Sequence, residues 1–323
     1  MSFKSFFKYL VVAFSGALFA VIGMSAQAAY PEKPINFVCW SSPGSPLDTM
    51  MRKLASLMEQ DLGQPISVEN RRGGSGAVAM AYVMSQPADG YTVLSTTSSM
   101  TFTMAKGRVP FTPDDFVVLR ALQSEPSSVA VRNDSDLKSM KDFVETLKAK
   151  PNGLRVGGYA SAGFHQFVFY QLRKATGIEA AWIPFDGGNK AALALLGGHL
   201  DAAVMTPSSA LSQVKSGEIQ LLGVSTAARS AYLPDAPTMA EQEYDVVEAI
   251  WRGVMVKAGT PQDVIDRLLA SIGKAEASDD WKEFMNQRQQ LPVDLSLEEL
   301  AKQVRREVAE RREFLESGGF LKK

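Results

Sequence analysis

Two histidines and a single cysteine are the only imidazole and thiol groups in this 323-residue chain, which limits the chemistry it can perform. His165, His199 and Cys39 stand at no ligand spacing such as H-x-x-x-H or C-x-x-C, so neither a metal site nor a cofactor is expected. The nearest approach to a nucleophile elbow is Gly73-Gly74-Ser75-Gly76-Ala77, which follows a strand-like run and precedes a helix-like one. It ends in Ala where G-x-S-x-G has its second glycine, so a secreted α/β hydrolase acting through Ser75 is the alternative reading and no catalytic residue is assigned. No G-x-x-x-x-G-K-[ST] and no G-x-G-x-x-G is present, so nucleotide binding has no motif behind it. His199 reads as a surface turn residue after Gly197-Gly198, whereas His165 stands at the mouth of a helix, after Ser161-Ala162-Gly163.

What the chain repeats is a set of turns rich in Gly, Ser, Thr and Pro at helix starts, at 41–48, 96–101, 161–165, 185–189 and 206–209. The first turn of a helix offers backbone N–H groups without intrahelical acceptors and a partial positive charge, worth about 0.3 to 1 kcal/mol to a nearby anion. Any one such turn is explained by ordinary capping. Several of them converging on one cleft would hold a carboxylate without any arginine, and their recurrence in both halves of the chain favours that arrangement.

These turns need a scaffold that brings them together, and the hydropathy rhythm supplies one. Short β-branched runs at 35–40, 66–69, 91–95 and 116–122 alternate with helical patterns at 47–62 and 76–85. A second series has strands at 129–132, 154–158, 181–185, 200–205 and 219–225, with helices at 140–149, 164–176, 190–196 and 209–215. A last strand at 251–256 precedes a helical tail. The rhythm predicts an α/β fold of parallel strands joined by helices, doubly wound, with ligands bound beyond the carboxyl ends of the strands. In the final helix, at 296–316, Leu297, Leu300, Ala301, Val304, Val308 and Phe314 make one apolar stripe, while Arg305, Arg306, Arg311 and Arg312 interleave with Glu307, Glu310 and Glu313 and read as a solvated, ion-paired face.

The first 28 residues read as an export signal: Lys4 and Lys8, an apolar stretch over 9–22, then Ala26-Gln27-Ala28. That stretch is about 14 residues, short of the roughly 20 needed to span a bilayer. Taking 28 from 323 leaves 295 residues, which at roughly 100 to 200 per domain suits two domains. Hydrophobic content of 46% fills cores of that size, a net charge of −1 gives no reason to expect nucleic acid, and Cys39 alone excludes an internal disulfide.

The chain is similar to the extracytoplasmic solute receptors of tripartite tricarboxylate transporters, the Bug family. The likeness rests on Tyr30-Pro31-Glu32-Lys33-Pro34-Ile35, then Pro43-Gly44-Ser45-Pro46-Leu47-Asp48 with Arg52, and Val68-Glu69-Asn70-Arg71 with Gly73 and Gly76. Further matches are Pro87-Ala88-Asp89-Gly90-Tyr91-Thr92, Ile183-Pro184-Phe185-Asp186-Gly187-Gly188, Leu196-Gly197-Gly198-His199-Leu200-Asp201, Leu233-Pro234-Asp235-Ala236-Pro237-Thr238, Trp251-Arg252-Gly253 and Gly259-Thr260-Pro261. The resemblance implies a type II-like periplasmic binding protein, two doubly wound α/β domains joined by a hinge with the ligand cleft between them. It assigns 29–125 and 251–323 to one domain and 126–250 to the other. The implied activity is capture of a small organic carboxylate in the periplasm by a monomer without catalytic function, followed by delivery to the large and small membrane subunits of a secondary transporter. A ligand receptor that signals to a sensor kinase instead of feeding a transporter is a further alternative.

Carried over residue by residue, the resemblance assigns ligand binding to Pro43, Gly44, Ser45 and Asp48, to Thr97, Ser98 and Ser99, to Ser161, Ala162, Gly163 and His165, to Phe185, Asp186, Gly187 and Gly188, and to Thr206, Pro207 and Ser208. Three departures bear on the ligand. Ser45-Pro46 replaces a second glycine and removes one amide, the Ser161–His165 turn is shortened, and Met205-Thr206 stands where the family often has Asp. Loss of that acidic side chain is expected to reduce repulsion toward a second ligand carboxylate.

Overall fold

The β-branched runs become strands of two five-stranded sheets. In this computed structural model residues 30–107, 109–230 and 232–321 are described, so the export signal expected over 1–28 lies outside the described residues. The first sheet contains β1 (Ile35–Cys39), β2 (Ile66–Asn70), β3 (Thr92–Thr97), β4 (Phe116–Pro126) and β10 (Ala249–Lys257), in the order β2-β1-β3-β10-β4. The second contains β5 (Ser128–Arg132), β6 (Val156–Tyr159), β7 (Trp182–Phe185), β8 (Ala202–Met205) and β9 (Ile219–Val224), in the order β7-β6-β8-β5-β9.

The expected parallel pairing describes only part of each sheet. β1 runs parallel to β2 and β3, and β6 to β7 and β8, but β10 is antiparallel to β3 and β4, and β5 to β8 and β9. The exceptions have a common cause. Parallel neighbours need a crossover connection, usually a helix, whereas β5 and β10 are the strands by which the chain enters one sheet directly from the other. Residues Lys33–Lys323 nevertheless cluster as one compact unit.

The helices are α1 (Pro46–Leu62), α2 (Ala77–Ser85), α3 (Ser98–Ala105), α4 (Met140–Ala149), α5 (Phe164–Thr176), α6 (Gly188–Leu196), α7 (Leu211–Lys215), α8 (Gln262–Ala277), α9 (Asp279–Gln287) and α10 (Leu297–Ser317). α1 shows why such segments form: Ser45 caps its first turn by accepting from the Asp48 amide, Pro46 takes the first helical position, and Gly63 closes the helix at φ 66°. α3 was not evident from periodicity. Seven of its eight residues, from Ser98 to Ala105, are buried, so it lacks the polar face that makes a helix legible.

Between the sheets the chain crosses twice, at Ser127 and over 225–248. The two crossings are tied together inside the molecule. The fully buried Ser127 donates its amide to Ser225 Oγ at 2.9 Å, the Ser225 amide returns to the Ser127 carbonyl at 2.9 Å, and the Glu248 amide bonds the Ser225 carbonyl at 2.9 Å. α10 lies over this junction. Its Leu300 and Val304 pack with Trp251 and Ala121, while Phe314 and Leu315 join Phe102 of α3 and Phe143 and Phe167 of the second half in one apolar cluster.

The charged face expected on α10 needs correction. Arg305, Arg306 and Arg312 are exposed and ion-paired, but Arg311 is 1% and Glu307 4% exposed. Positions 304, 307, 311 and 314 follow at intervals of three and four, so Glu307 and Arg311 fall on the buried stripe despite their charge. Arg311 bonds Glu248 at 3.0 Å and lies 3.8 Å from the centre of the Phe167 ring. Its replacement leaves the half-buried Glu248 carboxylate unpartnered, so Arg311→Ala is expected to cost about 3 to 5 kcal/mol, against about 0.5 kcal/mol or less for the exposed Arg312→Ala. Urea denaturation of the two variants checks this, and similar midpoints would contradict it.

Candidate functional site

The carboxyl ends of β1, β3, β6, β7 and β8 lie around one cavity of 740 Å³, within the range usual for small-molecule sites. It is lined by the β1–α1 turn from Trp40 to Leu47, by Thr97 and Ser99 at the start of α3, by Tyr159 and His165, by Asp186–Asn189 before and within α6, by Thr206, Ser208 and Ser209, and by Ile250 and Arg252 of β10. Both sheets therefore contribute to its wall. A second cavity, of 820 Å³, is lined by Ser124, Asp245, 247–249, Trp251, 292–295 and residues of α10 from Gln303 to Arg311, and contains none of the strand-to-helix turns.

The turns of the first half largely satisfy themselves. Asp48 is 1% exposed and lies beneath the β1–α1 turn, where it accepts from the Gly44 amide at 2.8 Å, from Arg52 at 3.0 and 3.1 Å and from Asn70 at 2.8 Å. Burial alone would raise its pKa, but the hydrogen bonds from Arg52, Asn70 and Gly44 outweigh that and hold it below the usual carboxylate range. Thr97 caps α3 by accepting from the Ser99 amide at 3.0 Å. α6 differs, because its N-cap, Gly187, has no side chain with which to cap. Its first turn reaches the cavity with its amides uncovered. A Cβ on Gly188 would come within 2.3 Å of Ser209 Oγ, so any side chain there requires Ser209 or the turn to shift.

Besides Asp186, the charges at the cavity come from residues that sequence reasoning did not place in the site. Arg252, 7% exposed, donates to Gln290 at 2.8 Å and lies 3.4 Å from Glu125 Oε2, while Glu125 Oε1 accepts from the Ser208 amide at 2.8 Å. An arginine thus reaches the cavity beside the turns that the sequence singled out. Its signal was present in Trp251-Arg252-Gly253, a cation set within an otherwise apolar strand. His165 bonds Ser127 through Nδ1 at 2.9 Å. Burial, with the nearby Arg252 guanidinium second, pushes its pKa down to about 3, so the ring is neutral at pH 7.

Several expected site residues lie off the cavity wall. Asp48 supports the turn from below, Ser98 is fully buried, and Phe185 packs against the apolar cluster of the second sheet. Pro207 is buried in a short 3₁₀ turn. Ser161, Ala162 and Gly163 form the β6–α5 turn outside the lining. That turn is tight enough to put Ala160 and Ala162 at φ 60° and 52°, in the left-handed region that alanine disfavours. Trp182 Nε1 holds the Ala160 carbonyl at 2.8 Å, and Gln166 Oε1 accepts the Ala162 amide at 2.6 Å. Ser75 also has positive φ, 53°, as an elbow would, but the hydroxyl bonded to His165 belongs to Ser127. Among the described residues no group of three or more His, Cys, Asp or Glu could hold a metal ion, and no helix is long and apolar enough to cross a membrane.

The family model described as "Tripartite tricarboxylate transporter family receptor" matches residues 50–320. Protein BugT of Bordetella pertussis is 30% identical over 275 residues, 82% of this chain and 84% of its own length. A TctC solute binding protein from Polaromonas superposes with a TM-score of 0.80 at 25% identity, covering 89% of this chain and 99% of that one. MatC from Rhodopseudomonas palustris, solved with bound malate, shares the fold at a TM-score of 0.74 and 22% identity, over 88% of this chain and 99% of its own.

Two outcomes follow from this geometry. Asp48→Ala strands the Gly44 amide, Arg52 and Asn70, and is expected to lower stability by about 1 to 3 kcal/mol in urea denaturation, with Asp48→Asn losing less. For His165, the unfolded chain takes up a proton near pH 6.5 and the folded chain only near 3. Between those values the unfolded state binds more protons, so stability falls as the pH drops from about 6.5. His165→Asn is expected to lose less stability than the parent between pH 7 and pH 4.5, and an equal loss would contradict the buried neutral ring.

Proposed function

The chain belongs to the tripartite tricarboxylate transporter receptor family, and on that premise we propose that it captures a small organic carboxylate between its two halves and delivers it to a membrane transporter without altering it. The observation that carries this reading is the single cavity to which turns of both sheets contribute, with the α6 amides uncovered at its wall. A carboxylate placed there would accept hydrogen bonds from backbone N–H groups at a helix start, where the partial positive charge of the helix also favours an anion. The fold shared with a protein that binds malate supports the same class of ligand.

In this reading 29–125 with 251–323 and 126–250 are two bodies that close about the Ser127 and Ser225 crossings when ligand contacts both, because a ligand can favour a state only by binding it better. The closed surface would then be what the large and small membrane subunits of a secondary transporter recognise, with the receptor exported to the periplasm and acting as a monomer. A neutral His165 with a pKa near 3 is a poor general base at pH 7, which favours binding over hydrolysis.

The test is a thermal-shift panel of mono-, di- and tricarboxylates and aromatic acids on the exported protein, followed by small-angle scattering. At least one carboxylate is expected to raise Tm and reduce the radius of gyration. Gly188→Ala, which forces the α6 turn off Ser209, is expected to weaken that ligand about tenfold while leaving the unliganded Tm within a few degrees. No shift with any carboxylate, and no compaction, would end this reading.

A further inference from the structure

Resting on the reading of the cavity as a carboxylate site, we propose that its ligand is a singly charged carboxylate carrying an apolar body, and that Glu125 disfavours a second carboxylate. Among the described residues lining the cavity, Arg252 is the one Lys or Arg. It is already engaged: Glu125, 3% exposed, lies beside it at 3.4 Å, and the same carboxylate takes the Ser208 amide at 2.8 Å. Glu125 therefore occupies a cation and a backbone donor that a second ligand carboxylate would need.

The remaining charges at the wall leave no surplus cation. Asp186 at the rim is matched by Lys190 at 2.9 Å. A monoanion can use the uncovered α6 amides, which are separate from the Glu125 pair. A dianion must bring its second charge to a wall whose one guanidinium is shared, close to a buried carboxylate of the same sign, and such juxtaposition suppresses binding. Trp40, Leu47, Tyr159 and Ile250 give the cavity an apolar portion that could take hydrocarbon, beside the Ser and Thr hydroxyls of its turns, and Tyr159 is 43% exposed.

Calorimetric titration of the exported full chain at pH 8 with hexanoate against adipate, and benzoate against terephthalate, isolates the second carboxylate within each pair. In at least one pair the monoanion is expected to bind at least tenfold tighter. Glu125→Gln keeps an acceptor for the Ser208 amide while removing the charge, and is expected to narrow the gap to about threefold by strengthening the dianion. A dianion bound within tenfold of its monoanion in both pairs overturns the inference while leaving the carboxylate reading intact. An unchanged gap in Glu125→Gln overturns the role given to that residue. If none of the four binds, the inference is overturned, and the wider carboxylate panel decides whether the underlying reading falls with it. The comparison in the parent protein stands even if the variant fails to fold.

Discussion

Two chain crossings, buried side by side, constrain everything else in this molecule. Backbone polar groups taken out of water must find partners, and at the junction of the sheets Ser127, Ser225 and Glu248 supply them to one another. The closure proposed above would have to turn about this hydrogen-bonded junction. The residues that flank the crossings are also those that charge the site. Glu125 lies two residues before Ser127, Arg252 four after Glu248, and His165 reaches Ser127 directly. Under the proposed closure, the crossings that would act as hinge and the wall that would meet the ligand are therefore continuous in structure.

The two sides of the cavity prepare for an anion differently. On the first side the β1–α1 turn is preorganised by Asp48, whose four hydrogen bonds fix Gly44, Arg52 and Asn70 before any ligand arrives. Such a turn loses little freedom on binding, which favours affinity, but it offers few open donors because Ser45 and Pro46 have taken or removed them. On the second side α6 starts with glycines and leaves its amides uncovered. Under the proposed function an anion would draw its hydrogen bonds mainly from the second half, while the first would contribute shape and hydrocarbon through Trp40 and Leu47.

How much of this was legible depended on whether a residue's environment is set locally. The amphipathic helices, the β-branched strands and the strand-to-helix turns could be read because propensity, periodicity and capping act within a few residues. α3 could not, since a helix buried on nearly every side has no period to detect. Nor could the antiparallel setting of β5 and β10, which depends on the direction in which the chain arrives from another sheet. Arg311 was misread and Arg252 given no role for a single reason: a cation is normally solvated, and only a partner distant in sequence makes its burial tolerable. Glu248 is 63 residues from Arg311 and Glu125 is 127 from Arg252, separations at which no local pattern operates.

The replacement of an acidic residue by Met205-Thr206 shows what residue-by-residue comparison misses. Read alone, it removes a negative charge from the end of β8 and should make the cleft more tolerant of dianions. In three dimensions the turn that follows β8 hands its Ser208 amide to Glu125, an acid supplied by β4 of the other sheet. The potential at the wall depends on where charges lie in space and not on which strand carries them, so the position lost on one element is offset from another. Because that carboxylate is held by Arg252 and the Ser208 amide together, it joins the two halves where a ligand would. The pair that sets the charge of the site therefore also contributes to holding its walls together.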